Sequence, residues 1–449
     1  MPDSLFPPVP LRRPPGVRRA ATAVVAALAA AAALGVVQPS PAAATTAATP
    51  PGTYAYVANA GSNTVSVIDT ATSTVVATVP VGQVPVGVAA SADGKRVYAT
   101  NSTSGTLSVI DTVGQTVVAT VPVGGQPQSV AVAPDGKHVY VGDDTAGAVS
   151  IVDTGSETVT ATVTAGPGAE GVAVSPDGTR VYAADTGDSS ISVIDPVTAT
   201  RIAVVPVGIT PVGLAVAPDG KHLFVADFNS GAVSVVATAT NAVTATIPVG
   251  SHPHSVALTA DGSKAYVTND GDGTVSVIDT ASAAVVSTFA VGSSPHGAAL
   301  AVIANGSRIY VADYGSASVS VADPGTGTVT ATVPVGVNPV GVAVSTLRQD
   351  PTSLTAGAAY LSLLPWGEAG LNATLTCGGT RVAGQGITFT AVDGTPLCHA
   401  TTNASGRAVC NTSPGLLPSL SVLLSGYTAT FAGGVYYLPS SAHGTTQLL

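Results

Sequence analysis

Seven positions, separated by 42 residues five times and by 44 once, read Val86, Gln128, Glu170, Val212, His254, His296 and Val340. Four of them are polar where the others are valine, and His252 stands two residues before His254 in the stretch SHPHS. Imidazoles and a carboxylate gathered round one opening could bind a metal or carry out acid/base work near neutral pH. Exposed loop histidines more often carry no function. We therefore expect Gln128, Glu170, His252, His254 and His296 to form the rim of a ligand site, with no residue assigned to catalysis and none to a metal. Two acidic clusters, Asp143 with Asp144 and Asn269 with Asp270 and Asp272, are oxygen-rich enough for Ca²⁺ but lack the spacing of an EF-hand loop, so solvated turns are favoured. Dinucleotide and Walker glycine motifs, a nucleophile elbow and HExxH are all missing, so no cofactor is expected.

What positions these residues is a repeat. A VID-like tripeptide ends at Asp69, Asp111, Asp153, Asp195, Ala237, Asp279 and Asp323, and a PVG-like stop falls at Gly82, Gly124, Gly166, Gly208, Gly250, Gly292 and Gly336. Each copy holds four short runs rich in Val, Ile, Thr and Tyr, as in GVAV, RVYAAD, SISVID and RIAVVPVG, and the first two are joined by a DG or NG turn. A period in the low forties with four strand-like runs is that of a propeller blade; helical repeats would need long stretches free of Gly and Pro. The chain begins one strand late, at Tyr54, and writes one surplus first strand at Pro339 to Ser345, which can complete the first blade and leave no inner edge unpaired. The recurring Asn59, Asn101, Asp143, Asp185, Asp227, Asn269 and Asp313 end the second run, where an Asx side chain is expected to bond the backbone of the following turn; Asp69 and its equivalents are expected to cap turns likewise.

The motifs YVAN at Tyr56 to Asn59, YATN at Tyr98 to Asn101 and YVTN at Tyr266 to Asn269 resemble the YVTN β-propeller repeat family over about residues 54 to 345. The resemblance implies secreted or surface-displayed propellers, mostly without assigned chemistry, related in shape to propeller lactonases and to the propeller domains of some redox enzymes. It also implies that the Gly/Ala/Val strand lies nearest the axis.

Arg12, Arg13, Arg18 and Arg19 precede an uncharged Ala/Val/Leu-rich run, Ala20 to Val37, with small residues at Ala42 to Ala44; this reads as a cleaved export signal, or an uncleaved anchor. Residues 1–44 contribute +3 to a formal net charge of −10, leaving the rest at −13. An acidic surface without a Lys/Arg cluster excludes nucleic acid as a partner. After a linker at 346–358, the last 91 residues lack the repeat, and GITFTAVDGTPLCHATTNASGRAVC followed by YTATFAGGVYYLPSSA resembles the small Ig-like domains that end many bacterial surface proteins. As in those domains, Cys398 and Cys410 are expected to be neighbours across an NASG hairpin and to form a disulfide, leaving Cys377 as a buried free thiol or a reactive one.

The expected architecture is all-β: export signal 1–44, linker 45–53, a seven-bladed β-propeller of four-stranded blades over 54–345 closed by its last inner strand, linker 346–358, and an Ig-like β-sandwich over 359–449. The expected function is a secreted or cell-surface, non-catalytic binding module, a monomer whose partner is an extracellular glycan, a cell-wall polymer or a protein. The alternative is a propeller enzyme: a lactonase-like hydrolase or a redox or metal-binding propeller.

Overall fold

The computed structural model describes residues 51–303, 306–361, 369–412, 426–434 and 436–448. The expected export signal, and all but the last residues of the linker after it, lie outside the described residues. From residue 52 to 347 the chain forms four-stranded antiparallel sheets in series, as in a β-propeller. The sheet of Pro85–Ala90, Arg96–Asn101, Thr106–Asp111 and Thr116–Pro122 is typical. Its third strand, TLSVID, is buried along nearly its whole length because a neighbouring sheet covers each face; its outermost strand, TVVATVP, is largely exposed. Asp93, Asp135, Asp177, Asp219 and Asp261 are each followed by a glycine at φ 70° to 73°, the left-handed turn that joins the first two strands.

One sheet is assembled from both ends of the array. Strand Pro339–Leu347 pairs antiparallel with Gly52–Asn59, Val57 opposite Val342 and Tyr54 opposite Ser345, and so supplies the inner strand of the first sheet. The inner strands touch one another in chain order, and Pro295–Ile303 touches Pro339–Leu347, which in turn touches Pro85–Ala90, so the series returns to its start. They approach so closely that a side chain will not fit. A Cβ on Gly171 would lie 2.0 Å from the Val212 carbonyl oxygen, and one on Gly213 2.3 Å from that of His254.

The recurring Asx residues do more than cap a turn. Asp185 accepts from the Gly166 amide at 2.8 Å, at the end of the previous sheet, and from Ser192 Oγ at 2.7 Å, in the next strand of its own sheet. Asp313 does the same with Gly292 and Ser320; Asn269 accepts from the Gly250 amide through Oδ1 and donates from Nδ2 to Ser276 Oγ. A Cβ on Gly166 would lie 2.6 Å from the Asp185 carboxyl carbon; at Asp143 it is Gly125, not the stop glycine Gly124, that makes the close approach. The expectation of a bond to the following turn is met at Asp143, which accepts from the Ala146 amide; at Asp185, Asp227, Asn269 and Asp313 the side chain staples one sheet to the next. Asp69, Asp153, Asp195 and Asp323 cap the turns that follow them.

Burial pushes the Asp227 and Asp313 carboxyls up to about 6, against the Ser and Gly hydrogen bonds that favour their ionised forms. From an ordinary value of 3.8 to about 6, the folded protein keeps protons that the unfolded chain releases. Stability is therefore expected to fall as pH rises through that window and to level off above it, by about 1–3 kcal/mol per aspartate. Asp227→Asn/Asp313→Asn, which installs the residue found at Asn59, Asn101 and Asn269, should flatten this part of the profile. Equal slopes of Tm between pH 4 and 7 in the two proteins would refute the assignment.

Beyond residue 347, two sheets share one apolar core that includes Leu371, Leu375, Phe389, Tyr427 and Phe431. One is built on Ala369–Cys377, flanked by Thr352–Ala356 and Arg407–Thr412; the other runs Pro396–Thr401, Gly386–Ala391, Tyr427–Phe431, Ser440–Gly444. Cys398 and Cys410 are disulfide-bonded, with Cα atoms 6.4 Å apart. They are not neighbours in one hairpin, as expected, but sit in different sheets, so the bond clamps one sheet to the other. Cys377 is a half-buried free thiol. The expected linker 346–358 also differs: its first residues extend the strand that closes the array, and Thr352–Ala356 already belongs to the second core. Lys95 Nζ meets Asp350 Oδ2 at 2.8 Å, and Tyr436 Oη donates to Asp111 Oδ1 at 2.8 Å, which fixes the two parts together.

Candidate functional site

The inner strands converge on an axial cavity of about 180 Å³, lined in part by Gln128, Glu170, His254 and the valines at 86, 212 and 340. Of the residues expected at the rim, three therefore face this cavity. His296 does not line it: its ring stacks on His254, centroids 4.3 Å apart and planes 14° from parallel. His252 is exposed, at φ 53°, and stacks outside on Phe228 at 4.6 Å. The sixth copy is two residues longer than the others; the addition lengthens its hairpin to Pro295–Ile303 and Gly306–Asp313, and the register shift after Pro295 recurs after Pro85 and Pro211.

A second ring of residues escaped the sequence reading. The position after each recurring Asx reads Ala60, Ser102, Asp144, Thr186, Phe228, Asp270 and Tyr314, and each stands 26 residues before a member of the rim series. These pairs meet in the structure. Gln128 Nε2 lies 3.4 Å from Ser102 Oγ, Phe228 meets His254 edge-on at 6.3 Å, and Asp270 Oδ1 lies 3.6 Å from His296 Nε2. Tyr314 closes the row by stacking on His296 at 4.5 Å. The signal was present as departures from the repeat at a fixed offset.

The electrostatics separate the groups. Burial, and then the Asp144 charge, push the Glu170 carboxyl up to about 7. Burial, and then the neighbouring His296, bring His254 down to about 3, so it is a neutral hydrogen-bonding ring at ordinary pH. Burial lowers His296 too, opposed by Asp270. A carboxyl poised near neutrality and a neutral imidazole that line one cavity are groups suited to acid/base work.

Two family models match parts of the chain: the Cytochrome D1 heme domain over residues 50–172, and the seven-bladed propeller Lactonase family over residues 152–247. Both are propeller families. No curated protein matches. Among solved structures, hydrazine synthase from Kuenenia stuttgartiensis is 22% identical, with a TM-score of 0.53 over 60% of this chain and 91% of its own. A functionally unknown protein from Desulfotomaculum acetoxidans is 18% identical, with a TM-score of 0.58 over 65% and 99%. A proposed 6-phosphogluconolactonase from Bacteroides uniformis is 19% identical, with a TM-score of 0.55 over 65% and 99%. At such identities the structures establish the propeller fold alone. The family matches overturn the expected non-catalytic binding module and favour its alternative, an enzyme or a haem-related protein. The expectation that the chain is not an enzyme is set against distant enzymatic relatives.

The haem reading can be tested on the site. A cavity of about 180 Å³ is smaller than the roughly 300–1,000 Å³ that holds a drug-sized ligand. The face of His254 is covered by His296, and no described lining residue is Lys or Arg to meet an acidic side chain of a macrocycle. Among the described residues no group of three or more His, Cys, Asp or Glu is arranged to hold a metal. The axial residues do not fit a haem.

Proposed function

We propose that the chain is a hydrolase of small, uncharged lactones, with the axial cavity as its active site. The observation that carries this is Glu170, a carboxyl raised to about 7 and facing the same cavity as His254 and Gln128. Ionised, Glu170 takes a proton from a water molecule as the oxygen of that water adds to the lactone carbonyl carbon. Gln128 and the neutral ring of His254 supply hydrogen-bond donors for the resulting oxyanion. When the ring C–O bond breaks, the departing oxygen recovers the proton from Glu170. Water is thereby added across the ester and no oxidant or metal takes part. An acidic cavity wall without a cation disfavours phosphorylated or carboxylated lactones.

The architecture proposed with this activity is seven blades, built from YVTN-type repeats and followed by an Ig-like domain. The order of inner-strand contacts supports the blade count, and the clamped two-sheet core supports the Ig-like fold. Export fits a stable disulfide. No helix among the described residues is long and apolar enough to cross a membrane.

The test is a panel of neutral and anionic lactones offered to the purified protein across pH 5 to 9. Hydrolysis of neutral members should rise as Glu170 ionises, with a midpoint near 7. A panel that stays intact at every pH would remove the proposal.

A further inference from the structure

We propose that His296 is a positioning residue for the axial site, holding the His254 ring in the plane that presents a nitrogen to the cavity. Its effect on rate rests on the hydrolase reading above; its effect on the ring does not. The rotamer of a histidine leaves the ring loosely set, because rotation about the Cβ–Cγ bond is broad and only roughly two-fold. The inner strand Pro253–Leu258 therefore cannot fix the ring of its second residue, His254, by itself. The neighbouring rings can. His296, at the same place on Pro295–Ile303, covers one face of His254 at a centroid distance of 4.3 Å and 14° from parallel. Phe228 meets His254 edge-on, at 6.3 Å and 81°. Turning His254 to aim its edge at His296 would need more room, since aromatic pairs lie roughly 4.5–7 Å apart between centroids.

His296 is held in turn. Tyr314 stacks on its other face at 4.5 Å and 10° from parallel, and Asp270 Oδ1, which has no hydrogen-bond partner among the described residues, stands 3.6 Å from its Nε2. Tyr314, His296 and His254 thus form a row of three near-parallel rings, of which only His254 lines the cavity. At the positions matching Phe228, Asp270 and Tyr314, the other four sheets carry Ala60, Ser102, Asp144 and Thr186, so no ring stands there. The row also sets the charge of its last member. Burial, and then the neighbouring His296, keep His254 unprotonated, the form in which one ring nitrogen donates and the other accepts. A buried ring with a fixed plane and a fixed charge can offer its N–H to a developing oxyanion without first having to turn.

The test is a cycle of His254→Ala, His296→Ala and the double variant of the full chain, with His296→Phe as the rescue. His254→Ala should lower kcat for neutral lactones by about 10²–10³-fold, the usual worth of one oxyanion donor. His296→Ala should lower it by about tenfold, because the donor remains but is free to turn, with KM little changed. Once residue 254 is alanine, His296→Ala should cost nothing further. His296→Phe keeps the stacked plane without a titratable group and should restore the rate. NMR of the imidazole resonances gives a readout that needs no turnover. The carbon-bound ring protons of His254 should be shifted upfield by the ring at 296 in the wild type and in His296→Phe, and lose that shift in His296→Ala. Between pH 8 and 5, His254 should stay neutral in the first two and begin to protonate in the third, since burial and the neighbouring imidazole both hold it down. A loss from His296→Ala that persists in the His254→Ala background, a rate that His296→Phe does not restore, or His254 resonances unchanged between the wild type and His296→Ala would each overturn the proposal. Resonances that behave as expected in a chain that hydrolyses no lactone would uphold the positioning of His254 and overturn the hydrolase reading alone.

Discussion

Glu170→Gln is expected to lower kcat for lactone hydrolysis by about 10²–10⁴-fold, the usual worth of a general base, with KM and Tm little changed. The amide keeps the size and polarity of the carboxyl but cannot take a proton from water. Folding should tolerate the change, because the carboxyl is held near 7 by burial: ionising it costs the folded state, and a neutral amide relieves that cost. Asp144→Asn is the companion experiment. Asp144 opposes ionisation of Glu170, so removing its charge should move the midpoint of the pH–rate profile to lower pH while keeping the plateau. Full activity in Glu170→Gln would exclude the carboxyl as base, and an unmoved profile in Asp144→Asn would exclude the coupling.

A chain ending at Asn338 should fail to unfold cooperatively, whereas one ending at Arg348 should keep a sharp transition. The nine residues Pro339–Leu347 provide the backbone partners for Gly52–Asn59. They also bring Val342 and Val344 against the cluster that contains Val57 and Tyr310. Full burial of a valine is worth about 1.5–3 kcal/mol; these two are partly buried and give less, and the lost ladder adds to this. The total approaches the net stability of about 5–15 kcal/mol available to a typical domain. An intact transition in the shorter chain, followed by near-ultraviolet circular dichroism, would contradict closure by this strand.

Most of the strand pattern was legible because a repeat writes the same physics many times over. The tripeptide ending at Asp69, the turn glycines and the PVG stops recur at fixed spacing, so strand bounds and pairing follow. What a repeat hides is which neighbour a side chain bonds to. Asp185 could be placed at the end of its strand, but its bond to Gly166 joins groups from two sheets, and no local pattern announces that. The site was half legible. Gln128, Glu170 and His254 stood out as polar departures and do face the cavity, while His252 and His296 departed equally and face elsewhere, since stacking on Phe228 and on His254 decided their orientation. Phe228, Asp144 and Asp270 were visible as residues but not as partners, because their meaning lies in an offset of 26 that crosses from one sheet to the next.

The polarity of the closing strand fixes which way the molecule faces. Pro339 lies opposite Asn59 at the cavity mouth, and Leu347 lies opposite Gly52 at the far end. The chain therefore enters and leaves the ring on the same side, where Lys95 and Asp111 also meet Asp350 and Tyr436. Anything that tethers the protein through residues before 52 or after 347 will hold it by its back. The axial opening then looks outward to the medium.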